Sequence, residues 1–365
     1  MTESIVLTGG PCGGKSSALP YLKTELEKCG WRVLTVGETA TDLMQSGIIP
    51  NGMREPSDYQ HINTDYMLFK HDLFFRGAEI MPDDKPTLII FDRGINDCLA
   101  YAAPSVFAAS LKKHGITPIA ARDRYGAVFH LTTAADGAEE HYTLKNNKVR
   151  TETPEQAIAL DRKTLSCWVG HPHLRIIGNE GNFEQKLNLL LAEVKAYLGI
   201  PEPKEIERKF IIEYPDFEQI KKSALHNKVD ITQVYLTLPD GNKCRIRKRG
   251  IGDDAVYIKT EKHKISDVVR IETETRLTAD EYNALLQYAD PHRNPIEKTR
   301  HLIVWQGKYF ELDVFPFWKD KALLEIELLS EYETFDIPPF ISVIKEVTAD
   351  KRYTNASLAK EVPNE

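Results

Sequence analysis

The stretch EIERKF, Glu205 to Phe210, decides how the second half of this 365-residue chain is read. As an extended segment it sets Glu205, Glu207 and Lys209 on one side and Ile206, Arg208 and Phe210 on the other, because strand side chains alternate. The same two-residue spacing returns in Arg245/Arg247/Arg249, Arg270/Glu272/Glu274, Lys298/Arg300, Glu311/Asp313 and Glu325/Glu327. Apolar residues such as Ile246, Ile271, Leu312, Leu324 and Ile326 stand between them. On a single strand this alternation describes a solvated face over an apolar core. Over many strands the charges sort into acidic pairs and basic pairs, which an ordinary surface would more often mix.

Eight period-two segments follow one another after residue 200: EIERKFII, QVYLTL, CRIRKR, AVYIKT, VVRIETETRL, IEKTRHLIVW, KYFELDVF and ALLEIELL. Turns such as PDGN (Pro239–Asn242) and WQGK (Trp305–Lys308) join them, and helices are expected near Asp216–Leu225 and Thr278–Ala289. Upstream the pattern differs. SIVLT (Ser4–Thr8), RVLTV (Arg32–Val36), TLIIFD (Thr87–Asp92), AVFHLT (Ala127–Thr132) and LRII (Leu174–Ile177) are short apolar runs separated by helix-length segments, as in a parallel sheet covered on both faces. The helix Asn182–Gly199 and the linker GIPEPK (Gly199–Lys204) close that half. The expectation is two domains, residues 1–200 and 201–365.

Bulk composition bounds the function. A hydrophobic content of 42%, a charged content of 28% and a mean hydropathy of −0.38 are those of a soluble globular protein. A net charge of −7 argues against bulk attraction to nucleic acid or to an anionic membrane, though not against a local basic site. No apolar run reaches the roughly 18–20 residues that span a bilayer, and MTESIVLTGG does not read as a signal peptide. Cys12, Cys29, Cys98, Cys167 and Cys244 are scattered and odd in number, as expected of reduced cytoplasmic thiols. The sequence sets no oligomeric state.

GGPCGGKS carries Gly9-x-x-x-x-Gly14-Lys15-Ser16 between a strand and a helix, the phosphate-loop pattern. Its glycines let backbone N–H groups curl around a phosphate, Lys15 reaches the β/γ oxygens, and Ser16 can ligate Mg²⁺, with Ser17 beside it. In IIFDRGIND, Asp92 ends a strand where it could hold Mg²⁺ or act as a base; it could also cap the helix that follows.

These motifs, with VGETATDLMQSG (Val36–Gly47) and the segment His141–Pro172, resemble the P-loop ATPase/kinase domain related to nicotinamide riboside kinase. The resemblance implies bound ATP or GTP, a lid in which Arg150 is a phosphate ligand, and site roles for Glu38 and Arg93. Arg122 and Arg124 could serve the same lid or belong to a solvated charge run. The second half resembles the CYTH family, the triphosphate tunnel metalloenzymes, through EIERKF, CRIRKR, YIKT, RIETE, IEKTRH, ELDVF, LLEIEL and EVTADKRYTNASLA (Glu346–Ala359). It implies an antiparallel eight-stranded β-barrel tunnel and a triphosphate substrate such as tripolyphosphate, a nucleoside triphosphate or thiamine triphosphate. By the same resemblance Glu205, Glu207, Glu325 and Glu327 bind Mg²⁺ or Mn²⁺, and Asp313, Glu272 and Glu274 bind a second metal or position water. Lys209, Arg245, Arg247, Lys259, Lys298, Arg300 and Lys351 then grip phosphate oxygens. Arg249, Arg270 and Glu311 are weaker members, because strand ends often turn outward, and Lys351 with Arg352 and Tyr353 could instead form a loop over the barrel mouth. Catalysis would be positioning and electrostatics. Cyclase chemistry, or a tunnel that senses polyphosphate without turning it over, are the alternatives.

Overall fold

The computed structural model describes residues 1–141, 153–201, 206–252, 254–264 and 270–363. It divides into two compact units, Met1–Leu198 and Gly199–Glu365. In the first, the apolar runs form β1 (Thr2–Thr8), β2 (Arg32–Val36), β3 (Thr87–Asp92), β4 (Ala127–Leu131) and β5 (Leu174–Ile177). All pair parallel, in the order β2-β3-β1-β4-β5. Ile5, Val6, Leu7, Ile89, Ile90, Phe91, Val128 and Phe129 are fully buried, which explains why these strands read as continuous apolar runs. The helices are α1 (Lys15–Lys28), α2 (Thr39–Gln45), α3 (Pro56–Glu79), α4 (Cys98–Tyr101), α5 (Pro104–Lys113), α6 (Pro118–Arg122), α7 (Pro154–Trp168) and α8 (Phe183–Tyr197). Asn182 and Gln185 form the capping box that starts α8. The central strand β1 lies between β3 and β4, so Asp92 and His130 end up beside the loop that leaves β1. That is the crevice where parallel sheets bind ligands.

The second unit holds β6 (Ile206–Glu213), α9 (Phe217–Ser223), β7 (Leu225–Thr237), β8 (Lys243–Ile251), β9 (Asp254–Lys264), β10 (Arg270–Leu277), α10 (Ala279–Leu285), β11 (Ile296–Trp305), β12 (Lys308–Val314), β13 (Lys321–Leu328), β14 (Val343–Glu346) and α11 (Asn355–Leu358). Its sheet is antiparallel and has nine strands where eight were expected, in the order β10-β9-β8-β7-β11-β12-β13-β6-β14. The additional strand, β14, is a short exposed edge with a register shift and carries no period-two apolar pattern.

One face of this sheet is apolar. Phe210, Ile212, Phe310, Leu312, Leu324 and Ile326 pack with Ile220 of α9, and Val234, Leu236, Cys244 and Ile246 pack with Tyr282 of α10. The residues between them form the opposite, charged face. At one end of that face Ile211, Ile296 and Leu323 meet Phe315, Trp318, Tyr353 and Leu358, so the C-terminal segment covers it with an apolar plug. Among the described residues no helix is long and apolar enough to cross a membrane.

Candidate functional sites

The loop after β1 closes tightly on the sheet. Gly9 has φ +132°, and a Cβ there would come within 2.1 Å of the Leu131 carbonyl oxygen; Gly14 has φ +95°. Only glycine meets both demands. Lys15 Nζ donates to the Gly9 and Gly10 carbonyls at 2.9 and 3.0 Å. Burial, reinforced by Arg93, lowers its pKa to about 8 against the pull of Asp92, Glu38 and Asp97. Ser16 and Ser17 are exposed on the first turn of α1. Asp92 Oδ1 is buried with no hydrogen-bond partner among the described residues. Burial, with Glu38 and Asp97 nearby, raises the Asp92 pKa against Lys15 and Arg93. Asp92 is not a helix cap: the following turn is capped by Asp97, which accepts from Gly94 N at 2.8 Å. Arg93 pairs with Glu38 at 3.1 Å and donates to Gly9 O at 2.9 Å, tying the β2 and β3 ends to the loop.

Three polar side chains here escaped the sequence reading. Asp161 of α7 accepts from Gly10 N at 2.5 Å and from His130 at 3.1 Å. Lys186 of α8 donates to Thr132 O and Asn179 Oδ1 at 2.6 and 2.7 Å. The signal for Asp161 was present: with Ala157, Thr164 and Trp168 it occupies the buried stripe of α7. Arg150 lies outside the described residues. Arg122 pairs with Asp123 at 2.8 Å, and Arg124 pairs with Asp72 and covers the Phe75 and Tyr125 rings.

In the second unit the register brings the alternating charges together. Lys209 lies opposite Glu325, Glu207 opposite Glu327, Glu311 opposite Glu325, and Arg300 opposite Asp313. Lys209 Nζ sits 2.8 Å from Glu325 and 3.3 Å from Glu207. Its burial would lower its pKa, but those two carboxylates raise it. Arg300 bridges Asp313 at 2.7 Å, Glu325 at 3.2 Å, and Glu311. Asp313 is wholly buried and binds Lys298 as well. Burial would raise its pKa; Arg300 and Lys298 hold it far below the carboxylate range. Both Asp313 oxygens therefore serve cations.

Glu311, a weaker member in the sequence reading, faces into this cluster. Burial, with Glu327, Glu325 and Asp313, raises its pKa to about 7 despite Arg300. On β8, Arg245, Arg247 and Arg249 share the charged face opposite Tyr235, Gln233 and Ile231. Burial and Arg245, with Arg300 and Arg249 adding, lower the Arg247 pKa to about 10 against Glu274. Arg249 is buried, contrary to the outward turn expected of a strand end. Thr260 donates to Glu274 at 3.1 Å on the same face.

Lys259 does not join them. It lies opposite Ile246 on the other face and pairs with Glu261 at 2.9 Å. One residue of register separates it from the charged row. Lys351 is exposed on a short 3-10 turn (Lys351–Tyr353) whose Tyr353 enters the apolar plug. Glu205 and the side chains of Arg270 and Glu272 lie outside the described residues. Among the described residues no group of three or more His, Cys, Asp or Glu is arranged to hold a metal ion. The chemistry of the set nonetheless fits a hard divalent cation: like-charged carboxylates face each other as Glu207/Glu327 and Glu311/Glu325.

Comparison with known proteins places both halves. The AAA domain family matches residues 4–186, half of the chain, and the CYTH domain family matches residues 203–337. A protein of Nitrosomonas europaea named inorganic triphosphatase is 36% identical over 165 residues, covering 44% of this chain and 99% of that relative. An inorganic triphosphatase of Acetivibrio thermocellus is 31% identical over 158 residues, covering 43% of this chain and 94% of the relative. A crystal structure of an inorganic triphosphatase is 33% identical and covers 44% of this chain and 97% of its own, with a TM-score of 0.31. The chain belongs to the AAA domain family over its first half and to the CYTH domain family over its second.

Proposed function

We propose that the second unit is a metal-dependent triphosphatase that removes the terminal phosphate of inorganic tripolyphosphate or of an organic triphosphate. The observation that carries this is the Arg245–Arg247–Arg249 row on the same sheet face as the carboxylate pairs. The named activity of the two bacterial relatives supports it. Lys209, Arg245, Arg247, Lys298 and Arg300 would neutralise and align the phosphate oxygens. Glu207 and Glu327, with Glu325, Glu205, Glu272 and Glu274, would hold Mg²⁺ or Mn²⁺. When bound, such an ion would supply charge neutralisation at the phosphates and lower the pKa of a water. Water oxygen attacks the terminal phosphorus, the bridging P–O bond breaks, and phosphate leaves with pyrophosphate or a diphosphate. Asp313 positions Lys298 and Arg300 rather than touching substrate.

The first unit, in the same proposal, binds ATP or GTP on the Gly9–Ser16 loop and acts as an ATPase or small-molecule kinase in the cytoplasm, with Asp92 on metal or as base. A panel of tripolyphosphate, ATP and thiamine triphosphate with Mg²⁺ or Mn²⁺, given to the full chain, tests both units. Phosphate release is expected, falling about 100-fold or more in Glu207→Gln. Nucleotide turnover in the first unit should persist in that variant and vanish in Lys15→Ala. No release from any substrate with either metal sinks the triphosphatase reading, and cyclic nucleotide among the products assigns a cyclase instead.

A further inference from the structure

Helix α3 is apolar on two opposite faces. One carries Met67, Leu68, His71 and Ala78, all buried in the first unit. The other carries Ile62, Phe69 and Leu73 and is continued by Ile80, the residue that caps the helix C-terminus; they are 38%, 56%, 44% and 87% exposed. At 100° per residue these four fall within an arc of about 40°, directly opposite the buried stripe. A surface helix ordinarily presents charge there, and a contiguous apolar stripe marks an interaction face.

The spacing of the stripe identifies what covers it. Ile62 and Ile80 lie equally far from position 71 in the two directions, and so do Phe69 and Leu73. Two such helices laid antiparallel about a two-fold axis at that level put Ile62 of one copy against Ile80 of the other, and Phe69 against Leu73. A two-fold contact uses the same patch twice and must be self-complementary in this way. The flanking charges do not oppose this. Asp65 already pairs with Lys113 and His114 within its own unit. Lys70 and Asp72, the flanking charges that would each meet their own counterpart near the axis, are already neutralised within the unit by Asp42 and by Arg124. We propose that the exposed face of α3 is a homodimer interface in which two copies of this chain pack antiparallel, centred on the level of His71. The stripe spans about 27 Å of helix, a contact at the small end for a stable dimer, so the association is concentration-dependent.

Sedimentation equilibrium of the full chain from about 1 to 100 μM tests this over the range expected of a small interface. The expected result is a monomer–dimer equilibrium whose dissociation constant rises at least about tenfold in Phe69→Glu/Leu73→Glu, with unchanged circular dichroism because both side chains are exposed. Orientation is tested by cross-linking in a Cys29→Ser background. Mixing Ile62→Cys with Ile80→Cys should give the disulfide-linked dimer, and Ile62→Cys alone should not. A monomer at every concentration overturns the proposal, including one in which α3 is covered by the chain's own second unit. So does a dimer indifferent to the Glu variants, or cross-linking of Ile62→Cys to itself.

Discussion

Asp313 and His301 show how much one side chain can set. Asp313 has no exposed surface and holds Lys298 and Arg300 through both oxygens. Asp313→Ala leaves the buried Lys298 without its ion-pair partner, while Arg300 keeps Glu311 and Glu325, a loss of about 3–5 kcal/mol for a broken buried pair. Urea unfolding followed on the second unit should report it, and a loss under about 1 kcal/mol would contradict the assigned anchoring role. His301 stacks on Phe217 at a ring separation of 4.0 Å and meets His226 at 2.8 Å. Burial first, then His226 and Lys228, lower its pKa to about 4. Between about 6.5 and that value the unfolded chain binds the proton that the folded one refuses, so stability falls as pH falls through this window, by up to about 3 kcal/mol. His301→Gln cannot titrate and should flatten that part of the stability-versus-pH curve; an unchanged curve would count against it.

At the scale of elements, α7 grips the phosphate loop. Asp161 accepts the Gly10 N–H, and a Cβ on Gly10 would come within 2.7 Å of the Asp161 Cβ, so helix and loop meet without room for a side chain. His130 and the Gly10 N–H keep Asp161 ionised although burial opposes it. Asp161→Ala frees the loop backbone and should weaken ADP binding about tenfold, the worth of one hydrogen bond to a charged acceptor. Titration with a fluorescent ADP analogue measures this, while tripolyphosphate hydrolysis by the same variant should not change. Equal ADP affinity would show that the clamp does not shape the loop. Helix α3 also leaves Ile62, Phe69 and Leu73 on one side more than a third exposed.

At the scale of the molecule, facing carboxylates make metal a structural as well as a catalytic expectation. Mg²⁺ or Mn²⁺ should raise the melting temperature of the second unit by several degrees through binding linkage, and EDTA should abolish phosphate release. Glu207→Gln should blunt both effects; a melting temperature indifferent to metal in the unmutated chain would argue against the ion. Several parts of this architecture were legible in one dimension. The near-continuous runs such as TLIIFD became parallel strands, and the Gly9–Ser16 loop sits between β1 and α1 as its spacing predicts. Among the described residues each of the eight period-two segments contributes a strand. Alternation identified two faces on each strand but not which face of one strand continues that of the next. That is decided by register, which moved Lys259 away from Arg245 and Arg247 and brought Glu311 in beside Glu325. The clamp of Asp161 on Gly10 joins positions 151 residues apart. Sequence by itself thus determined the element types, the phosphate loop and the presence of a two-signed charged face, because those follow from local backbone geometry and side-chain period. Only the tertiary structure decided which charges neutralise one another and which remain crowded, because Coulomb energy and desolvation depend on distances that strand pairing sets.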